Sequence, residues 1–201
     1  MPPFSVLHVC VGNICRSPMA ERLLRARAAE LVGADPVDEL LLSRSTGTGA
    51  WHIGQPMNPP AARQLRARDV DPLGFRARQL ETDHIEASDL ILTATAEQLD
   101  YVRSLRPDAA DRTFVLGEFG RLLRGADLTE LPAYAPKPDA VYARGVALVA
   151  MVDAARAGAA PLFGDDLDDP YGMDDTEFTR IADQIDATVR PLVAALLDGG
   201  A

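Results

Sequence analysis

The chain has 201 residues, enough for one domain with a sizeable core. Its 30 acidic and 20 basic residues leave a formal charge of −10, which speaks against nucleic acid as a partner, since affinity for a polyanion comes from basic side chains that neutralise phosphates. Two cysteines exclude a disulfide-rich secreted scaffold, and His8, His52 and His84 are too scattered for zinc-ligand spacing, so no metal is expected and each histidine reads as an ordinary surface or core residue.

At the N-terminus, Met1-Pro2-Pro3-Phe4-Ser5 has no basic stretch leading into an apolar run, so no signal peptide is expected. No apolar run reaches the roughly 20 residues that cross a bilayer, and the expectation is a cytoplasmic protein without membrane insertion. Ser5 to Cys10 is a short apolar run, read as a buried strand. It breaks at Gly12-Asn13, and Ser17-Pro18 predicts a helix with a side-chain cap and a first-turn proline. Met19, Leu23, Leu24, Leu31 and Val32 give that helix an apolar stripe, with Arg22, Arg25 and Arg27 facing solvent. Glu39 to Ser43 predicts a second strand, and Ala61 to Arg68 a short helix entered through Pro59-Pro60.

Asp89 to Thr93 is a third strand, followed by a helix from Ala96 to Leu105 that stops before Pro107. Thr113 to Leu116 is a fourth strand and Glu118 to Leu123 a short helix. The proline-bearing stretch from 125 to about 140 reads as an irregular loop, and Val141 to Ala157 and Glu177 to Leu197 as two further helices. Strands alternating with helices predict an α/β fold over 1–201, a single domain whose parallel sheet is flanked by helices on both faces. The active crevice of such a fold lies beyond the carboxyl ends of the strands, so the turn at residues 10–17 is where a site is expected.

That turn holds Cys10, Val11, Gly12, Asn13, Ile14, Cys15, Arg16 and Ser17. Cysteine and arginine stand six positions apart, so a tight loop can bring thiol and guanidinium to one bound anion. The N–H groups between them can curl inward as a nest around phosphate oxygens, and the following helix aims its positive end at the same point. Arg16 can grip two oxygens with its planar fork. The same field favours the thiolate of Cys10, the nucleophilic form, and the Ser17 hydroxyl can hydrogen-bond it. Gly12 and Asn13 suit left-handed backbone angles. Arginine is so common here that the spacing alone carries little weight; its position between a strand and a helix carries it.

The run Val9 to Glu21, VCVGNICRSPMAE, resembles the signature of the low-molecular-weight protein tyrosine phosphatases. Further matches follow in order at Ser45 to Gly54 (STGTGAWHIG), Arg76 to Leu80 (RARQL) and Asp169 to Gly172 (DPYG). The resemblance implies a four-stranded sheet with a phosphate-binding loop after its first strand, a cysteinyl-phosphate intermediate, no cofactor, and phosphotyrosine-containing proteins or aryl phosphate monoesters as substrates. It makes Cys10 the nucleophile, Arg16 the transition-state clamp and Asp169 the general acid, with Pro170 holding the backbone extended. Asn13 and Ser45 match a pair that braces the loop, and Ser17 the support of the leaving thiol. Trp51 and Tyr171 match walls flanking an aromatic ring, an ordinary tryptophan being the other reading of Trp51. Cys15 matches a second cysteine that pairs with oxidised Cys10, or is a small buried loop residue.

The chain departs from the resemblance at Asn58, Pro60 and Phe75, in having one tyrosine after Pro170, and in an irregular extension at about 118–164. Three rivals share the loop. A protein arginine phosphatase typically has threonine at the position of Ile14, a thioredoxin-coupled arsenate reductase needs cysteines beyond Cys15, and a phosphate-binding module would bind without turnover.

Overall fold

The computed structural model describes residues 1–198. Strands β1 (Phe4–Cys10), β2 (Leu41–Gly47), β3 (Leu90–Thr93) and β4 (Thr113–Val115) form one parallel sheet in the order β2-β1-β3-β4. Among the described residues the α-helices are α1 (Arg16–Val32), α2 (Val37–Leu40), α3 (Pro59–Arg66), α4 (Thr82–Glu86), α5 (Ala96–Leu105), α6 (Leu116–Arg124), α7 (Pro138–Arg156) and α8 (Asp175–Leu197). The expected four-stranded α/β domain, with helices on both faces of the sheet, is the one observed.

Every residue of β1 is buried, as a parallel strand covered on both faces requires. Its alternation sends Phe4, Val6 and Cys10 into one apolar cluster with Leu23, Leu24 and Ile185 of α1 and α8. Leu7 and Val9 point the other way, against Ile85 of α4 and Val102 of α5. β1 pairs with β2 from Phe4–Leu41 to Cys10–Gly47 and with β3 from Val6–Leu90 to Val9–Thr93. The chain leaves β1 for one side of the sheet and later returns to the other, so a crevice opens beyond the C-terminal end of β1.

Differences from the sequence reading have local causes. β2 starts later than predicted because Pro36 begins a helical turn that buries Val37 and Leu40, and it runs on through Ser45 and Thr46. Their polarity hid the strand, yet both are buried, at 0% and 1% exposure. Arg27 does not face solvent. Its guanidinium binds Asp186 of α8 at 2.9 Å and also pairs with Glu30, while Leu31 is exposed. Within 118–164 lie most of α6, a 3₁₀ turn at Leu128–Glu130, and α7. Two buried arginines of α7 cap backbone carbonyls: Arg144 those of Ala195 and Pro132, Arg156 those of Thr113 and Ala110. No helix among the described residues is long and apolar enough to cross a membrane.

Candidate active site

The loop from Cys10 to Arg16 turns its carbonyls outward. Those of Cys10, Val11 and Ile14 accept from the N–H groups of Thr48, Gly49 and Asn58 at 2.8–2.9 Å. In a planar trans peptide the next residue's N–H points opposite to the carbonyl, so the N–H groups of Val11, Gly12 and Cys15 face into the loop. Asn13 supplies the left-handed turn, at φ 52°. Gly12 does not adopt a left-handed angle as expected; its missing side chain makes room instead, since a Cβ there would lie 2.9 Å from His52 Cδ2. Gly47 ends β2 against the loop, where a Cβ would meet the Val11 carbonyl at 2.6 Å.

The predicted side-chain cap at Ser17 is absent, because α1 begins at Arg16 with Cys15 as N-cap. The Ser17 hydroxyl is used inside the site, with its Oγ 3.0 Å from Cys10 Sγ. Asn13 Nδ2 donates to both Ser17 Oγ and Ser45 Oγ at 2.9 Å. Two groups the sequence reading left without a role complete this network. Glu21 Oε2 accepts from Ser45 Oγ at 2.6 Å, and the Arg78 backbone N–H donates to Asn13 Oδ1 at 2.8 Å. Both lie inside the quoted motifs, but their spacing gives no hint that they meet.

Arg16 is 3% exposed and lies at the mouth of α1. Its Nη2 donates to Asp169 Oδ2 at 2.7 Å and its Nη1 to the Leu167 carbonyl at 2.9 Å. The neighbouring acids are otherwise engaged. Asp168 pairs with Arg180 at 2.8 Å, and Asp166 accepts from the Ala96 N–H. Asp165 is buried, which works to raise its carboxyl, but hydrogen bonds from Arg121 and the Leu162 N–H outweigh this and hold it below the ordinary range.

Cys10, Val11, Gly12, Ile14, Cys15 and Arg16 floor a cleft of ≈ 270 Å³ whose walls are Trp51, His52, Asp169 and Tyr171. Trp51 and Tyr171 are largely exposed, so both have a face free for a ligand. His52 is the wall residue that sequence reasoning missed. Its ring tilts against Tyr171 at 6.3 Å between centroids, and its Nδ1 lies 2.8 Å from Gln55 Oε1. The cleft joins an anion cradle to a partly apolar mouth, and a thiol sits at its base. Burial first, then the charges of Cys10 and Asp169, push the Cys15 thiol up to about 12, so it remains a neutral thiol at neutral pH. Both cysteines are free. Among the described residues, no group of three or more His, Cys, Asp or Glu side chains could hold a metal ion.

Residues 5–137 match the family described as "Low molecular weight phosphotyrosine protein phosphatase". The chain is 38% identical over 101 residues to the "Low molecular weight protein-tyrosine-phosphatase YfkJ" of Bacillus subtilis, covering 50% of this chain and 62% of that one. It is 37% identical over 108 residues to the "Low molecular weight protein-tyrosine phosphatase A" of Mycobacterium tuberculosis, covering 54% and 63%. With both, the match spans a little under two thirds of the relative's length. To the "Low molecular weight protein-tyrosine-phosphatase" of Streptomyces coelicolor it is 34% identical over 139 residues, covering 69% and 79%. Among solved structures, YfkJ from Bacillus subtilis aligns with a TM-score of 0.67 at 24% identity, over 100% of this chain and 99% of that one. The YwlE arginine phosphatase from Geobacillus stearothermophilus aligns with a TM-score of 0.64 at 24% identity, over 95% and 91%. These two structural likenesses are of fold.

Proposed function

The chain belongs to the low molecular weight phosphotyrosine protein phosphatase family, and from that premise we propose that it hydrolyses phosphotyrosine on proteins, and aryl phosphate monoesters, through a phosphorylated Cys10. The observation that carries this reading is the convergence of a thiol, an inward-facing amide loop, a guanidinium and a carboxyl on one cleft. Cys10 Sγ attacks phosphorus in line, forming the S–P bond as the ester O–P bond breaks. The N–H groups from Val11 to Ser17 and the Arg16 fork hold the three equatorial oxygens as charge spreads over them. Asp169 gives its proton to the departing phenolate oxygen. Water then attacks phosphorus, its proton passes to Asp169, and the S–P bond breaks to release inorganic phosphate and the thiolate. Ser17 donates to the sulfur in both steps.

Trp51 and Tyr171 flank the substrate ring in this reading, and Ile14 adds an apolar contact at the mouth that favours an aromatic ester over phosphoarginine. The substrate is a phosphoprotein in a reducing, cytoplasmic compartment, since a nucleophilic thiol has to stay reduced. Rapid mixing with an aryl phosphate tests the reading. A stoichiometric burst of phenol and a phosphorylated Cys10 peptide after acid quench are expected. A burst retained by Cys10→Ser, or no covalent adduct in the wild type, removes Cys10 from its role.

A further inference from the structure

We propose that Glu21 is a positioning residue that sets the direction of the hydrogen-bond chain ending on Cys10, so that Ser17 donates to the sulfur rather than accepting from it. The inference rests on the reading of Cys10 as nucleophile. It follows from counting donors.

A backbone N–H only donates, so the Asn13 side-chain atom 2.8 Å from the Arg78 N–H is the oxygen, Oδ1. The amide nitrogen therefore faces the two serines. It has no lone pair to offer, so Ser17 Oγ and Ser45 Oγ must both accept from it. Each hydroxyl then has one proton left. That of Ser45 goes to Glu21 Oε2 at 2.6 Å, an acceptor that Arg78 Nη2 also contacts at 3.2 Å. That of Ser17 has the Thr46 carbonyl at a long 3.3 Å and Cys10 Sγ at 3.0 Å, and a thiolate takes it as a charge-assisted bond.

The competing arrangement flips the Asn13 amide. Ser17 and Ser45 would then donate to Oδ1, and Ser17 would aim a lone pair at the thiolate. Glu21 works against that state, because it holds the Ser45 proton and leaves Ser45 only the acceptor role. Ser45 is wholly buried, so without Glu21 its proton has no other outlet than the flipped amide. Arg78 opposes the flip from the other side through its N–H, and its guanidinium balances the Glu21 carboxylate. Glu21 touches neither the sulfur nor the substrate in this scheme and acts only through Ser17.

The test is the rate of Cys10 alkylation by iodoacetate followed across pH, since the thiolate and not the thiol is the reacting form. Glu21→Leu removes the acceptor and should slow alkylation about tenfold. Glu21→Gln, close in shape but able to donate as well as accept, should fall between Glu21→Leu and wild type. In a Ser17→Ala background all three should react alike, since the chain is already cut. Equal rates for the three proteins when Ser17 is intact, or the same drop with Ser17 intact as with Ser17→Ala, overturn the proposal. If Glu21→Leu fails to fold, Glu21→Gln decides alone by the same comparison. Alkylation does not require turnover, so a failure of the phosphatase reading would leave this result standing.

Discussion

Arg16 and Asp169, 153 residues apart in sequence, are joined by a 2.7 Å contact between Nη2 and Oδ2. Arg16 is almost fully enclosed, while the Asp169 side chain is about half exposed (49%) on the far side of the cleft. The proposed clamp and the proposed acid thus share one point, where the ester oxygen of a substrate would lie between the cradle and the loop at 165–171.

Asp169→Asn is expected to slow phenyl or tyrosyl phosphate by about 10² to 10⁴, the usual worth of general acid catalysis. An ester of a strongly acidic phenol departs without help and should be much less affected. Asp168→Asn, which loses only an exposed pair with Arg180, should be mild with both substrates. Rates across a leaving-group series check this. A steep leaving-group dependence in Asp168→Asn would move the acid by one residue.

Arg16→Lys should cost at least about 10² in kcat/KM, because a point charge cannot keep two parallel contacts to an oxyanion. The same change also loses the Leu167 and Asp169 contacts, so circular dichroism must show an intact fold for the result to count. Activity within tenfold of wild type would contradict the clamp role.

The loop was legible because it is local. Cys10, Arg16 and Ser17 lie within eight consecutive positions, between an apolar strand and a helix, and backbone geometry does the rest. Asp169 was legible only through its motif, since nothing in its spacing relates it to Arg16. The second half of β2 was hidden because Ser45 and Thr46 are polar, and their burial follows from Asn13 and Ser17 reaching them. Arg27 looked like a surface residue until α8 returned with Asp186. The Leu167 carbonyl has no side-chain signature at all. His52 lies in the STGTGAWHIG run, where a lone histidine has no chemical partner in the sequence, and only the fold of the turn brings it to the cleft wall.

Hydrogen peroxide should abolish the proposed phosphatase activity reversibly. Peroxide oxidises the Cys10 thiolate to the sulfenic acid, the Cys15 thiol attacks that sulfur, water leaves and a disulfide remains. The order follows from the neutral state of Cys15, whose thiol is pushed up to about 12 and is not itself oxidised first. Cys15→Ser should make the loss irreversible by thiols. Mass spectrometry of the inactivated wild type without a Cys10–Cys15 linkage would rule this out.

His8 stands on β1 two residues before Cys10, is 1% exposed, and neither ring nitrogen has a hydrogen-bond partner. Burial lowers its pKa from 6.5 to about 3. The unfolded chain therefore binds a proton that the native one refuses between those values. Stability is full above pH 6.5 and falls toward pH 3, by about 1.4 kcal/mol per pH unit from this residue. Denaturant melts across that window should show a shallower acid loss for His8→Phe. Parallel curves for the two proteins would mean that His8 is protonated in the native state.

The central claim, hydrolysis of phosphotyrosine through Cys10, is tested most directly by a turnover panel of phosphotyrosine, phosphoarginine and phosphoserine peptides with wild type and Cys10→Ser. The account predicts release of phosphate from the phosphotyrosine peptide by the wild type, little from the other two, and none above background by Cys10→Ser. Preference for phosphoarginine, or phosphotyrosine turnover that survives Cys10→Ser, would contradict it.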